Sequence, residues 1–201
     1  MKRTLYSILI PFFIFLSPIL QAKMSTLEDE RYKTACGPIA GFIALQTLGI
    51  ETSLDEMANR CSWEQDKMLP LENLQNAIRS YHGVSCQMVH LTPKQLCDLL
   101  KDDQTIVILA TRKGSEEIDH AVCAVGVRDN DQVIHLIDYP ELHQWKLIGE
   151  IADVWDGPAL VVRISPFYRA LSDFATCFAP MVAIILGILW FRNRKSTKSA
   201  T

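Results

Sequence analysis

The chain has 201 residues, 49% apolar and 21% charged, which suits one domain with a buried core and argues against disorder. Six terminal Lys/Arg offset a strongly acidic middle: between Lys23 and Asp173 there are 14 basic and 23 acidic residues, a balance of −9. Such a surface has no electrostatic footprint for nucleic acid, and that class of partner is excluded.

Taken in chain order, the first segment is the apolar run Leu5–Leu20, preceded by Lys2 and Arg3 and followed by Gln21-Ala22. A basic start, an apolar run and a small residue at the exit read as a secretory signal over residues 1–22, or as a signal anchor if it is retained. Cys36-Gly37-Pro38 then opens a run of Ile39, Phe42, Ile43, Leu45 and Leu48, the spacing of a buried helix. Ser53-x-x-Glu56 is a capping box leading into a short helix that ends near Cys61. Leu71, Leu74, Ile78 and Tyr81 lie at helical spacing, with Gly83 as the stop. A short extended piece covers Val84–Val89, and Thr92-Pro93 caps a helix running to Leu100.

The second half changes period. Thr105–Ala110 is a β-branched strand, and Thr111–Ile118 is polar and contains Gly114. His120–Val127 is a strand, Arg128–Asp131 a turn, and Gln132–Asp138 the antiparallel partner. A further strand covers Leu160–Ile164 after Asp156-Gly157-Pro158. Helices first and an antiparallel sheet second predict an α+β fold. The last segment, Phe174–Phe191, holds 18 residues without a charge and is followed by Arg192-Asn193-Arg194-Lys195. It predicts one C-terminal transmembrane helix (174–191) with the basic tail 192–201 kept in the cytoplasm. Whether the first segment is cleaved or retained, the domain over residues 23–168 is then expected outside the cytoplasm. In a bacterium this means a single-pass protein of the inner (plasma) membrane.

Chemistry concentrates on three residues. A thiol at the start of a helix, Cys36, faces unpaired amides and the positive end of the helix dipole, both of which favour the thiolate. Gly37 beside it would let a substrate backbone come close. A cysteine nucleophile needs an imidazole to hold its proton and a third group to orient that imidazole. His120 begins one strand and Asp138 ends the next. If the turn is centred on Asp129, or between Asp129 and Asn130, residue 138 falls opposite 120 or one place away.

The order of these parts resembles the bacteriocin-processing cysteine peptidases, papain-like domains that remove double-glycine leaders. The resemblance rests on Cys36-Gly37-Pro38 opening an apolar helix, on His120-Ala-Val-Cys-Ala-Val-Gly126-Val, and on Asp138-Tyr139-Pro140. Trp155-Asp-Gly157-Pro-Ala-Leu-Val-Val is similar to the family's closing strand, so the likeness spans roughly residues 28 to 165. It implies a papain-like fold with N-terminal helices on an antiparallel sheet. It also implies Cys36 as nucleophile, His120 as general base and acid, Asp138 as orienting group, and cleavage after small residues of a peptide or exported protein.

Two departures accompany it. Where the family carries an oxyanion-binding glutamine, six residues before the cysteine, this chain has Glu30. Losing one oxyanion donor raises the barrier by about 2.7–4 kcal/mol. This chain also lacks the G-x-x-x-x-G-K-[ST] loop of an ABC exporter, so no ATP site is expected in it. Besides the peptidase, the sequence therefore allows a domain that binds a peptide segment without cutting it, and an amidase or transferase using the same thiol.

Cys61, Cys86, Cys97 and Cys123, in an oxidising setting, predict one or two disulfides of undetermined connectivity, with Cys123 also readable as simply buried. No pair has C-x-x-C spacing. His120 and Cys123, three apart on a strand, point to opposite faces, and His82, His90, His135 and His143 have no ligand spacing, so neither metal nor cofactor is expected.

Overall fold

The computed structural model describes residues 32, 34–65, 67–112, 118–139, 142–168 and 170. Residues 1–22, 174–191 and 192–201, expected as signal, membrane helix and tail, lie outside the described residues, as do Glu30, Gly114 and Pro140. Among the described residues no helix is long and apolar enough to cross a membrane. Contacts divide the chain into two units, Met1–Arg163 and Ile164–Thr201. In the second, the Phe167 ring stands edge-on to Tyr168.

Helix α1 (Cys36–Thr47) is apolar all round, so no face of it can be left to water. Every residue from Gly37 to Leu45 is accordingly buried. Helix α2 (Leu54–Arg60) starts at Ser53, whose hydroxyl accepts the Glu56 N–H at 3.1 Å. The Glu56 carboxylate, expected to complete the box, pairs with Arg60 at 2.8 Å. Helix α3 (Leu71–Arg79) buries Leu74, Ala77 and Ile78 on one side. These two helices close on α1 across Gly41, where a Cβ would meet Leu74 Cδ1 at 2.8 Å and Met57 Sδ at 3.1 Å.

The rest is a sheet and two short helices. Strand β1 (Val84–His90) leads to α4 (Pro93–Leu99), which carries a full capping box between Thr92 and Gln95. Strands β2 (Thr105–Thr111), β3 (His120–Arg128) and β4 (Val133–Asp138) follow, then β5 (Leu142–Leu147), α5 (Ile148–Ala152) and β6 (Pro158–Ile164). They form a six-stranded sheet in the order β1-β6-β2-β3-β4-β5, with β2 antiparallel to both neighbours. The α+β layout read from the change of period is the one observed. Strand β5 and helix α5 were not expected. Leu-His-Gln-Trp-Lys-Leu has no clean alternation, and five helical residues are too few to show a period.

Strand β2 is buried along its whole length because both faces of the sheet are covered. On one face Val107, Leu109, Val122 and Ala124 join Leu96 of α4, Ile151 of α5 and Trp155 in one core. The other face meets α1, and the Cys123 thiol there donates to the Ala40 carbonyl at 3.0 Å. His90 and Gly157, unrelated in the sequence reading, meet here. Gly157 has φ +111°, and the His90 ring fills the space its Cβ would need.

Candidate active site

Cys36 is the first residue of α1, His120 the first of β3 and Asp138 the last of β4. The fold brings all three together. His120 Nε2 lies 2.7 Å from Asp138 Oδ1, with the two side chains only 12% and 20% exposed. The Cys36 thiol lies beside His120, 3.9 Å from the Asp119 carbonyl oxygen.

The hairpin achieves this in a way that differs from the simple expectation. Asp129, Asn130 and Asp131 all take left-handed backbone, at φ 53°, 53° and 69°, which Asp and Asn tolerate better than other side chains. Arg128 pairs with Val133, so the turn is centred between Asn130 and Asp131. Unrelieved, that register would set Asp138 opposite Cys123, on the α1 face and away from His120. A bulge at Val125 intervenes: Gly126 pairs with His135, but Ala124 pairs with Leu136 and Cys123 with Ile137. Continued, this register sets Asp138 opposite Val122. Asp138 is then a diagonal cross-strand neighbour of His120 on the same face, within reach of its ring.

The electrostatics follow from the packing. Burial pushes the Cys36 thiol up, but the hydrogen bond and charge of His120, with backbone hydrogen bonds from Ala121 and Gly37, outweigh it and hold the thiol below its ordinary value. Burial pulls His120 down, yet hydrogen bonds and charge from Asp138 and Cys36 raise it to about 9. Each group favours the charged form of the other, which is the condition for a thiolate–imidazolium pair. The other described thiols behave oppositely, since burial alone pushes Cys61 to about 12 and is the largest influence taking Cys86 to about 12.

The expected disulfides do not form. Cys61, Cys86, Cys97 and Cys123 are free and buried, each thiol in its own setting. That of Cys61 faces Met57 Sδ, and that of Cys97 donates to the Asp131 carbonyl at 3.3 Å.

Two cavities flank the pair. One of about 530 Å³ lies between α1 and the end of β4, walled by Ile39, Ile43, Ile137 and Tyr139. The other, of about 440 Å³, is walled by Trp63, Met68, Leu69 and Ile118. Thr34, Cys36, Asp119, His120 and Ala121 belong to both, so the thiol sits where the two meet. Gly37 lines the second, but Leu69 Cδ2 occupies the space 2.8 Å from where its Cβ would stand. The glycine therefore makes room for Leu69, where the sequence reading assigned that room to a substrate. Residues such as Trp63 and Thr34 gave no signal in the sequence, because neither sits in a motif.

His135 and His143, assigned no partner from sequence, are brought together by the β4–β5 pairing, Nε2 to Nδ1 at 3.0 Å. His135 also stacks on Trp145, with ring centroids 4.3 Å apart. Among the described residues, no group of three or more His, Cys, Asp or Glu could hold a metal ion.

No protein-family model and no curated protein matches this sequence. Solved structures do. The peptidase domain of Streptococcus ComA, a bifunctional ABC transporter involved in a quorum-sensing pathway, superposes with a TM-score of 0.56 at 13% identity, covering 66% of this chain and 93% of that one. A double-glycine-motif protease from an AMS/PCAT transporter, in complex with the leader peptide, gives 0.53 at 17% identity, covering 65% and 84%. The N-terminal peptidase C39-like domain of a toxin-secretion ATP-binding protein from Vibrio parahaemolyticus gives 0.51 at 11%, covering 65% and 97%. At such identities the likeness is one of fold. The helices and antiparallel sheet that carry Cys36, His120 and Asp138 thus have the fold of the double-glycine peptidase domains of ABC transporters.

Proposed function

We propose that this chain is a cysteine peptidase that hydrolyses a peptide bond through a thioester on Cys36. The observation that carries the reading is the convergence of Cys36, His120 and Asp138 from three separate elements, with His120 Nε2 2.7 Å from Asp138. With His120 held at about 9 and the thiol held below its ordinary value, each favours the charged form of the other, so the attacking thiolate is stabilised beside an imidazolium. The sulfur adds to the scissile carbonyl carbon and the π pair moves to oxygen. On collapse the C–N bond breaks while His120 gives its proton to the leaving amine. Water then adds to the thioester carbonyl while His120 takes its proton, and collapse breaks the C–S bond, releasing the acid and restoring the Cys36 thiolate beside the His120 imidazolium. Asp138 holds the ring and stabilises the imidazolium.

The reading includes cleavage after a small residue. This is supported by the likeness to a double-glycine-motif protease solved with its leader peptide. It also includes a membrane anchor at 174–191, with the peptidase domain outside the cytoplasm. The support for that is the uncharged run and the basic residues behind it. One sequence feature favours a second reading, a domain that binds a peptide segment without cutting it: Glu30 stands where the related peptidases carry an oxyanion glutamine.

The test is the pH dependence of Cys36 alkylation in the reduced full-length chain, resolved by mass spectrometry, with His120→Ala alongside. A thiolate titrating well below about 8.5, and moving up without His120, is the expected result. A titration near the free value and indifferent to His120 sinks the peptidase reading and leaves the binding domain.

A further inference from the structure

We propose that the Thr34 side-chain hydroxyl is an oxyanion donor of this site, a role that rests on the peptidase reading above. A carbonyl attacked by Cys36 must lie where the two cavities meet, because the thiol lies there. Five residues wall both cavities: Thr34, Cys36, Asp119, His120 and Ala121. Of these, Cys36 is the nucleophile, His120 is committed to the thiolate and Asp138, Asp119 carries a carboxylate and Ala121 has no polar side chain. Of these five described residues, Thr34 is therefore the one neutral side-chain donor. It stands two residues before the thiol, in the turn entering α1, and is exposed to the cleft. Among the described residues, no hydrogen bond engages its hydroxyl. The Cys36 backbone N–H, at the first helical position, has no carbonyl four residues back within the helix and supplies a second donor. A hydroxyl and an amide on residues that wall the same junction can together serve as an oxyanion site, in a chain whose position 30 offers a carboxylate instead of an amide.

The test uses N-acetyl-glycyl-glycinal, an aldehyde to which the Cys36 sulfur adds reversibly. The S–C bond forms, the carbonyl π pair moves to oxygen and nothing leaves, so the adduct carries the developing oxyanion without turnover. Full-length wild type, Thr34→Val and Thr34→Ser are compared for inhibition constant and, separately, for the rate of iodoacetamide alkylation, whose transition state has no oxyanion. Thr34→Val is expected to bind the aldehyde about 10- to 100-fold more weakly, somewhat below the full effect of an oxyanion donor on turnover. Thr34→Ser should stay within about threefold of wild type, and all three should alkylate alike. Equal aldehyde affinity in Thr34→Val, or equal losses in the valine and serine variants, overturns the assignment while leaving the peptidase reading standing. A wild-type chain that alkylates through its ion pair but forms no aldehyde adduct overturns both.

Discussion

Replacing Asp138 with asparagine keeps a hydrogen-bonding group of the same size beside His120 and removes its charge. His120 is held at about 9 against an ordinary 6.5, an elevation worth roughly 3 kcal/mol at 1.36 kcal/mol per pKa unit. Among the influences that raise it, the hydrogen bond from Asp138 comes first, its charge adds to that, and Cys36 supplies the rest. If about half of that elevation goes with the Asp138 charge, the loss is roughly 2 kcal/mol, or about 30-fold in the imidazolium equilibrium. Burial continues to pull the ring down, so nothing in the site compensates for the lost charge. The assay is an NMR titration of the His120 ring, run beside the pH profile of Cys36 alkylation. In Asp138→Asn the imidazole midpoint should fall by about 1.5 pH units, and Cys36 alkylation at pH 7 should slow. A midpoint still near 9, or an alkylation profile superimposable on wild type, would refute the claim that Asp138 sets the charge state of the pair.

Three further outcomes are expected. In wild type, folding stability should fall only weakly between pH 6.5 and 9, because the proton that the raised His120 keeps is offset by the one that the depressed Cys36 thiol gives up more readily than in the unfolded chain. In Cys36→Ala only the raised imidazole remains, so the stability it contributes, complete below 6.5, should be lost as pH rises through its folded value; thermal melts across that range separate the two. Brief iodoacetamide treatment of the reduced folded chain should modify Cys36 and spare Cys61, Cys86 and Cys123, whose thiols are buried and pushed up, while unfolding exposes all four to mass spectrometry. Ser53→Ala should cost about 1 kcal/mol, read as a lower urea midpoint at unchanged slope, because it removes the side-chain cap at the start of α2 without touching the site.

The likeness to transporter peptidase domains makes the disposition of the site more informative than its motifs alone. Short motifs singled out Cys36, His120 and Asp138, which the fold brings together, but the physical reason they meet was different from the one spacing suggested. The turn is later than a loop centred on Asp129, and the bulge at Val125 restores the facing that the later turn would have lost. A bulge adds one residue without changing composition or hydrophobicity, so no periodicity reveals it. The same holds for the free thiols. Four cysteines in an expected oxidising setting argued for disulfides, whereas pairing depends on side-chain vectors that only the packed core sets.

What the sequence determined by itself is local. The Thr92-Pro93 cap, the stop at Gly83, the apolar run that opens α1 and the strand run Thr105–Ala110 each follow from interactions within a few residues, and each is legible there. What the tertiary structure decided is non-local. It set α1 against β3 so that the thiol meets an imidazole more than 80 residues away, at Asp119–His120. It placed Thr34 at the junction of two cavities, and it gave the space beside Gly37 to Leu69. Chain neighbours encode backbone conformation, whereas a reactive site is made by surfaces that come into contact only once the core has closed.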